Sequence, residues 1–168
     1  MTDPVPRTVE QSRASVVRLT IPTDANFMGN VFGGELLNEV DRVAYITASR
    51  HAQTNCVTAS FDRVDFLAPV HVGEVVEFDA MLTYVGRSSM EVWVRIRAEP
   101  LTGGPREPVA EAYVTMVAVD ADGRPTAVPS LSLSSSEERS RFEEGRHRME
   151  ARRRARSRTE RTEEHHAV

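Results

Sequence analysis

The sequence predicts an α+β fold in which an antiparallel sheet wraps around one long central helix, followed by a charged C-terminal tail that is helical or disordered. Three observations predict it. One strong helical period runs from Gly33 to His51. The segments after it alternate apolar and polar residues with a period of two, as half-buried strands do. At about Ser130 the composition breaks, and Gly, Pro and apolar periods give way to Ser, Glu and Arg.

Residues 1–14 are polar and carry both charge signs, so they read as a flexible lead with no secretory signal. Ser15–Thr20 is a short strand, and Ile21–Val31 is irregular, with Pro22, Asp24, Gly29 and Asn30 as loop formers. From Gly33 onward Leu36, Leu37, Val40, Val43, Ala44, Thr47 and Ala48 share one stripe. Glu35, Asn38, Glu39 and Arg42 lie on the other. His51 closes the helix, where a positive charge suits the dipole. Val57, Ala59 and Phe61 then share one parity and Val64 and Phe66 the other, which calls for a bulge near Asp62–Arg63. Residues 76–84, 90–98 and 110–118 alternate without a break, the first two joined through Gly86–Ser89 and the last closed by Asp120–Gly123. The resulting order is strand, helix, then four strands in a meander. Residues 15–130 make the domain, and 131–168 an Arg/Glu-rich tail whose Ser134 and Ser135, each with a Glu three residues on, form a helix-capping signature.

A chain of 168 residues supports one such domain with a proper core. The single cysteine, Cys56, excludes an intramolecular disulfide framework and multi-cysteine zinc sites, and reads as a buried structural thiol. No apolar run approaches the roughly 20 residues that span a bilayer. A cytoplasmic protein without membrane contact fits best. All 21 basic residues are arginine. Ten lie in residues 134–168 beside eight glutamates, leaving eleven against seventeen acidic residues in the body. That acidic body offers no broad footprint for nucleic acid.

Chemistry concentrates between Asn26 and Asp41. Gly33 and Gly34 open the helix, so their amides lack intrahelical partners and point outward at the positive dipole end. Without a Cβ, glycine lets a ligand approach that backbone, which is what a developing oxyanion requires. Asp41, eight residues on, lies about 12 Å along the axis at the edge of the apolar stripe. There it is either a partly desolvated carboxylate suited to proton transfer or a rim residue reaching solvent. Asn26 is either an orienting amide or an ordinary turn residue. The histidines are isolated, and no HExxH, GxSxG, P-loop or GxGxxG pattern occurs, so no metal or cofactor is expected.

Taken together, residues 24–34, Val40–Asp41, Ser49–His51, Val57–Phe66 and Val85–Val92 resemble the acyl-CoA thioesterases of the hotdog superfamily, including brain-type acyl-CoA hydrolases and small bacterial homologues. The resemblance covers about Val16 to Val119. It implies that Asn26 and Asp41 are catalytic and that the Gly33 or Gly34 amide polarises a thioester carbonyl. It implies that the active site is shared across a homodimer, with further assembly as a trimer of dimers. It also implies that Val64, Asp65 and Phe66, with Gly86, Arg87, Ser88 and Ser89, line the CoA tunnel, Arg87 facing a phosphate. Met28 and Phe32 stand where the family commonly carries histidine. The expected reaction is hydrolysis of acyl-CoA with Asp41 as general base, or alternatively as nucleophile through a mixed anhydride. A non-catalytic acyl-CoA binding module and a hydroxyacyl-thioester dehydratase are the rival readings; the second would need a catalytic histidine that the loop lacks.

Overall fold

A computed structural model describes residues 5–166, with side chains described up to Ala155. The first four residues and the side chains of His165 and His166 lie outside the described residues.

The chain runs β1 (Arg7–Thr8), α1 (Val9–Ser12), β2 (Ala14–Leu19), a 3₁₀ turn at Pro22–Asp24, α2 (Gly33–Ala52), β3 (Cys56–Phe66), β4 (Glu74–Val85), β5 (Ser89–Pro100), β6 (Glu107–Ala118), β7 (Leu131–Ser132) and α3 (Ser136–His166). Five strands form one antiparallel sheet in the order β2-β4-β5-β6-β3. The expected four-strand meander therefore holds only for β4-β5-β6. The link from β3 to β4 is seven residues long and contains Pro69, so it cannot close a hairpin. Leu67 instead donates to the Val109 carbonyl at 2.8 Å, which keeps β3 beside β6 at the sheet's edge.

The inner face of the sheet packs on α2. Val76, Phe78, Ala80 and Leu82 of β4, and alternate positions from Met90 to Ala98 of β5 and from Ala110 to Ala118 of β6, are buried. They meet Leu36, Val40, Val43, Ala44 and Ala48. Each large side chain buried this way contributes about 1.5–3 kcal/mol. Gln53, at φ 56, ends the helix in the left-handed region. One residue of the polar stripe departs from expectation: Glu39 is buried, held by Arg42 at 2.8 Å and Arg18 at 3.8 Å.

β3 has two register shifts, at Thr58/Ser60 as well as the anticipated one at Phe61/Arg63. The first was not legible, and it reverses the faces assigned to the start of the strand. Thr58 pairs with the buried Met116 and faces inward, whereas Val57 pairs with Val117 and is 49% exposed.

The lead and the tail are both built into the domain. Arg7–Thr8 pairs parallel with Leu131–Ser132, and Thr8 and Gln11 cap α1 reciprocally. Ser12 Oγ lies 3.0 Å from His51 Nδ1, and His51 Nε2 lies 2.8 Å from the Pro129 carbonyl. His51 is fully buried, and burial lowers its pKa, so it is neutral rather than the cation expected at the helix end. At the other end, Ser135 Oγ accepts from the Glu138 amide at 3.1 Å, and Glu138 Oε2 accepts from the Ser134 and Ser135 amides. Those amide bonds hold the Glu138 carboxyl below its ordinary pKa. The tail also buries more than its composition suggested. Met149 is 2% exposed, Phe142 lies 5.0 Å from the Tyr84 ring, and a Cβ at Gly145 would meet Tyr84 Cβ at 2.8 Å. Glu91 on the outer face of β5 is fully buried beneath α3, where Arg148 binds both of its oxygens and Thr83 donates at 2.6 Å.

Candidate active site

The loop before α2 is pinned from within. Asp24 is buried, accepting from the Ile21 amide at 2.9 Å and from Arg18 at 2.5 Å, while its carbonyl accepts from the Phe32 amide at 2.9 Å. Phe32 caps the helix without a side-chain hydrogen bond. Glu35 and Leu36 donate back to the Phe32 carbonyl at 3.0 and 3.4 Å. The amides of Gly33 and Gly34 meet no acceptor among the described residues, so the helix begins with two unengaged donors. The two glycines differ in surroundings. A Cβ at Gly33 would meet Phe66 Cζ at 3.0 Å, whereas one at Gly34 would meet nothing within 4 Å.

Asn26 takes the turn role, one of its two sequence readings, through its side-chain oxygen. Its Oδ1 accepts from the Met28 amide at 2.9 Å and the Asn30 amide at 3.2 Å, and Gly29 turns the chain at φ 81. The oxygen thus fixes the turn, and Nδ2 keeps its two hydrogens with no acceptor among the described residues. Asn26, Gly33, Leu36, Phe66 and Val70 are among the residues that line one cavity of about 470 Å³.

Asp41 does not line that cavity. It is half-buried two turns further along α2, and its Oδ1 accepts from the Thr58 hydroxyl at 2.5 Å. Thr58 was missed in the sequence because strand parity pointed it outward, and only the unforeseen register shift brings it to Asp41. Within one protomer, then, the structure gathers Asn26, Gly33 and Phe66 in one place, with Gly34 beside Gly33 at the helix start, and sets Asp41 with Thr58 in another.

The remaining expected positions separate further. Val64 packs on the core and Asp65 pairs with Arg63. The Gly86–Ser89 turn closes by a 2.8 Å bond from the Gly86 amide to the Ser89 carbonyl, with Arg87 exposed. Cys56 is buried, and burial raises its thiol pKa, which leaves it unreactive.

Comparison with known proteins bears on the family and the fold. Residues 28–104 match the thioesterase superfamily. The uncharacterized acyl-CoA thioester hydrolase YkhA of Bacillus subtilis is 38% identical over 138 residues, which are 82% of this chain and 80% of that protein. The cytosolic acyl coenzyme A thioester hydrolase of Rattus norvegicus is 36% identical over 148 residues, and this chain spans only 39% of its length. Among solved structures, an apo-hexameric acyl-CoA thioesterase superposes with a TM-score of 0.86 at 39% identity, covering 90% of this chain and 97% of that one. The acyl-CoA hydrolase of Staphylococcus aureus, solved with butyryl coenzyme A, coenzyme A and coenzyme A disulfide, gives 0.87 at 35% identity, covering 96% and 99%. That enzyme has also been solved with alanine replacing one aspartate, one threonine and one asparagine in turn. With its sheet closed around α2 and these matches over most of its length, the chain belongs to the hotdog-fold acyl-CoA thioesterases of the thioesterase superfamily.

Proposed function

We propose that the protein hydrolyses acyl-CoA to a free fatty acid and CoA at a site shared by two protomers, with Asp41 as general base. The observation that carries this reading is the pair of unengaged amides at Gly33 and Gly34, beside a cavity also lined by Asn26. A thioester carbonyl placed there would have donors already fixed where its negative charge develops. Asn26 Nδ2 positions a water, and Asp41 takes that water's proton as its oxygen bonds to the carbonyl carbon. Collapse of the tetrahedral intermediate breaks the C–S bond, and the departing thiolate recovers the proton from Asp41. Thr58 holds Oδ1, leaving the other carboxylate oxygen to receive the proton. Water and these side chains suffice, so the reaction calls for no cofactor.

Two protomers are needed because Asp41 stands apart from the Asn26 cavity. β3 is an eleven-residue edge strand, and Val57, Phe61 and Phe66 on it are 49%, 39% and 53% exposed. A long apolar edge favours pairing with a second copy. Antiparallel pairing of β3 with itself about Asp62 would set Phe66 of one protomer opposite the partner's Thr58, and so bring the partner's Asp41 to Asn26 and Gly33. The alanine replacements in the S. aureus enzyme support the residue choice. Its asparagine, aspartate and threonine are separated by 15 and then 17 residues, the spacing of Asn26, Asp41 and Thr58. A trimer of such dimers would match the hexameric neighbour. We place the enzyme in the cytoplasm; among the described residues no helix is long and apolar enough to cross a membrane.

Asp41→Asn assayed by thiol trapping over a panel of acyl-CoAs tests the reading. A fall of roughly 10²–10⁴-fold in kcat is expected, and an unchanged kcat/KM would remove Asp41 from the mechanism.

A further inference from the structure

Three carboxylates surround one guanidinium at the foot of the loop that carries Asn26. Arg18, on the edge strand β2, donates from Nη2 to Asp24 Oδ1 at 2.5 Å, and its Nη1 lies 3.8 Å from both Glu35 and Glu39 of α2. Arg42 holds Glu39 from the other side at 2.8 Å. Asp24 and Glu39 are 4% and 8% exposed. Taking carboxylates out of water is costly, and a buried ion network seldom outdoes apolar side chains of equal volume as a source of stability. What such a network does fix is orientation. A planar guanidinium whose two ends meet different elements holds those elements at one separation. None of these side chains takes part in the mechanism proposed for Asp41.

The two elements joined in this way are the ones that carry the candidate donors. Asp24 stands two residues before Asn26, and its carbonyl accepts from the Phe32 amide at 2.9 Å, directly ahead of Gly33. Its Oδ2 accepts from the Ile21 amide at 2.9 Å, which closes the turn beneath the loop. Glu35 follows Gly34 in the first turn of α2. Among the described residues, Arg18 is the one side chain that joins Asp24 to the helix.

We propose that Arg18 and Asp24 are positioning residues for the hydrolysis. They clamp the Asn26 loop against α2, so that Asn26 Nδ2 and the Gly33 and Gly34 amides face one reacting carbon. This rests on the thioesterase reading and extends it to side chains set back from the substrate. Without the clamp the loop and the helix start drift relative to each other. The loss therefore falls on the transition state more than on the bound substrate.

The test measures kcat, KM and the inhibition constant of the product CoA in Asp24→Asn, in Arg18→Gln and in the double variant. Each single change is expected to lower kcat about tenfold, the effect of a modest misplacement, while KM and the CoA inhibition constant stay close to those of the unaltered protein. The double variant is expected to be no slower than the poorer single one, because both changes break the same clamp. Arg18→Lys keeps the charge but cannot meet Asp24 and the helix together, and it should lose about threefold in kcat, the scale of one hydrogen bond. An unchanged kcat in the single variants, a loss shared equally by KM and CoA binding, or a double variant slowed by the product of the two single losses would each overturn the proposal. Should Asp24→Asn fail to fold, Arg18→Lys decides the matter: a fall in kcat at constant KM supports the clamp, and an unchanged kcat overturns it. An unaltered protein that releases no thiol from any acyl-CoA overturns the thioesterase reading itself; an active one indifferent to substitution at both positions overturns this inference alone.

Discussion

The Thr58 hydroxyl donates to Asp41 Oδ1 at 2.5 Å, joining the inner face of an edge strand to the middle of the central helix. A carboxylate held by one oxygen keeps a single orientation for the other. Thr58→Ala is therefore expected to lower kcat by about 10-fold, less than loss of the base itself, while Thr58→Ser retains most activity. Steady-state rates on one saturating acyl-CoA decide it, and a Ser variant as poor as Ala would mean that the hydroxyl is not what matters.

The two glycines at the helix start should separate. At Gly33 a methyl group would press on the Phe66 ring at 3.0 Å, forcing the cavity wall to shift. Gly33→Ala should cut kcat/KM by about tenfold or more, the scale of a misplaced reacting group. At Gly34 a methyl group meets no protein atom within 4 Å, so the cavity wall keeps its place and the loss should be smaller, with a gain of up to about 1 kcal/mol in stability from replacing a poor helix former. Matching losses in the two variants would show that packing against Phe66 is not the distinction.

Removing Arg148 would strand the fully buried Glu91 carboxylate beneath α3. Breaking one side of such a pair costs about 3–5 kcal/mol. Arg148→Met should therefore lower the melting temperature by roughly 10 °C. Changing both partners, with Glu91→Gln added, should recover much of it, because no charge is left buried. A single variant that melts with the parent would show that α3 does not depend on this pair.

His51 links α1, α2 and the segment before β7, and its buried ring has its pKa lowered from 6.5 by desolvation. The unfolded chain thus takes up a proton before the folded one does. The neutral ring's contribution is complete above about pH 6.5 and is lost progressively as pH falls toward the lower folded value. Urea midpoints measured between pH 8 and 5 should show this fall, and His51→Gln should flatten it. An equally steep fall in the variant would assign the acid sensitivity to other groups.

Most of the core was legible because it obeys simple periods. Leu36, Val40, Val43, Ala44 and Ala48 recur with helical spacing, and the alternate residues of β4, β5 and β6 are the ones that turn inward. What escaped depended on contacts distant in sequence. The position of β3 beside β6 follows from a Pro-containing link bonded to Val109. The burial of Glu39 follows from arginines on two elements, and the order of residues 7–12 from a ring 39 residues away at His51. At the candidate site, Asn26, Gly33 and Asp41 were readable as residue types in a pattern. Thr58 was hidden by a shift in strand register that no parity rule reveals.

That shift has a consequence for how β3 tolerates change. Thr58 and Ser60, two positions apart, would share a side in a regular strand, yet here one serves the carboxylate within and the other the Arg152 guanidinium without. Excising Ala59 would make the two adjacent, still opposite Met116 and Thr115 and still on opposite sides, so Thr58 would keep Asp41 and Ser60 would keep Arg152. A single-codon deletion at that one position should therefore be easier to accommodate than one elsewhere in β3, where every following side chain would turn to the opposite face.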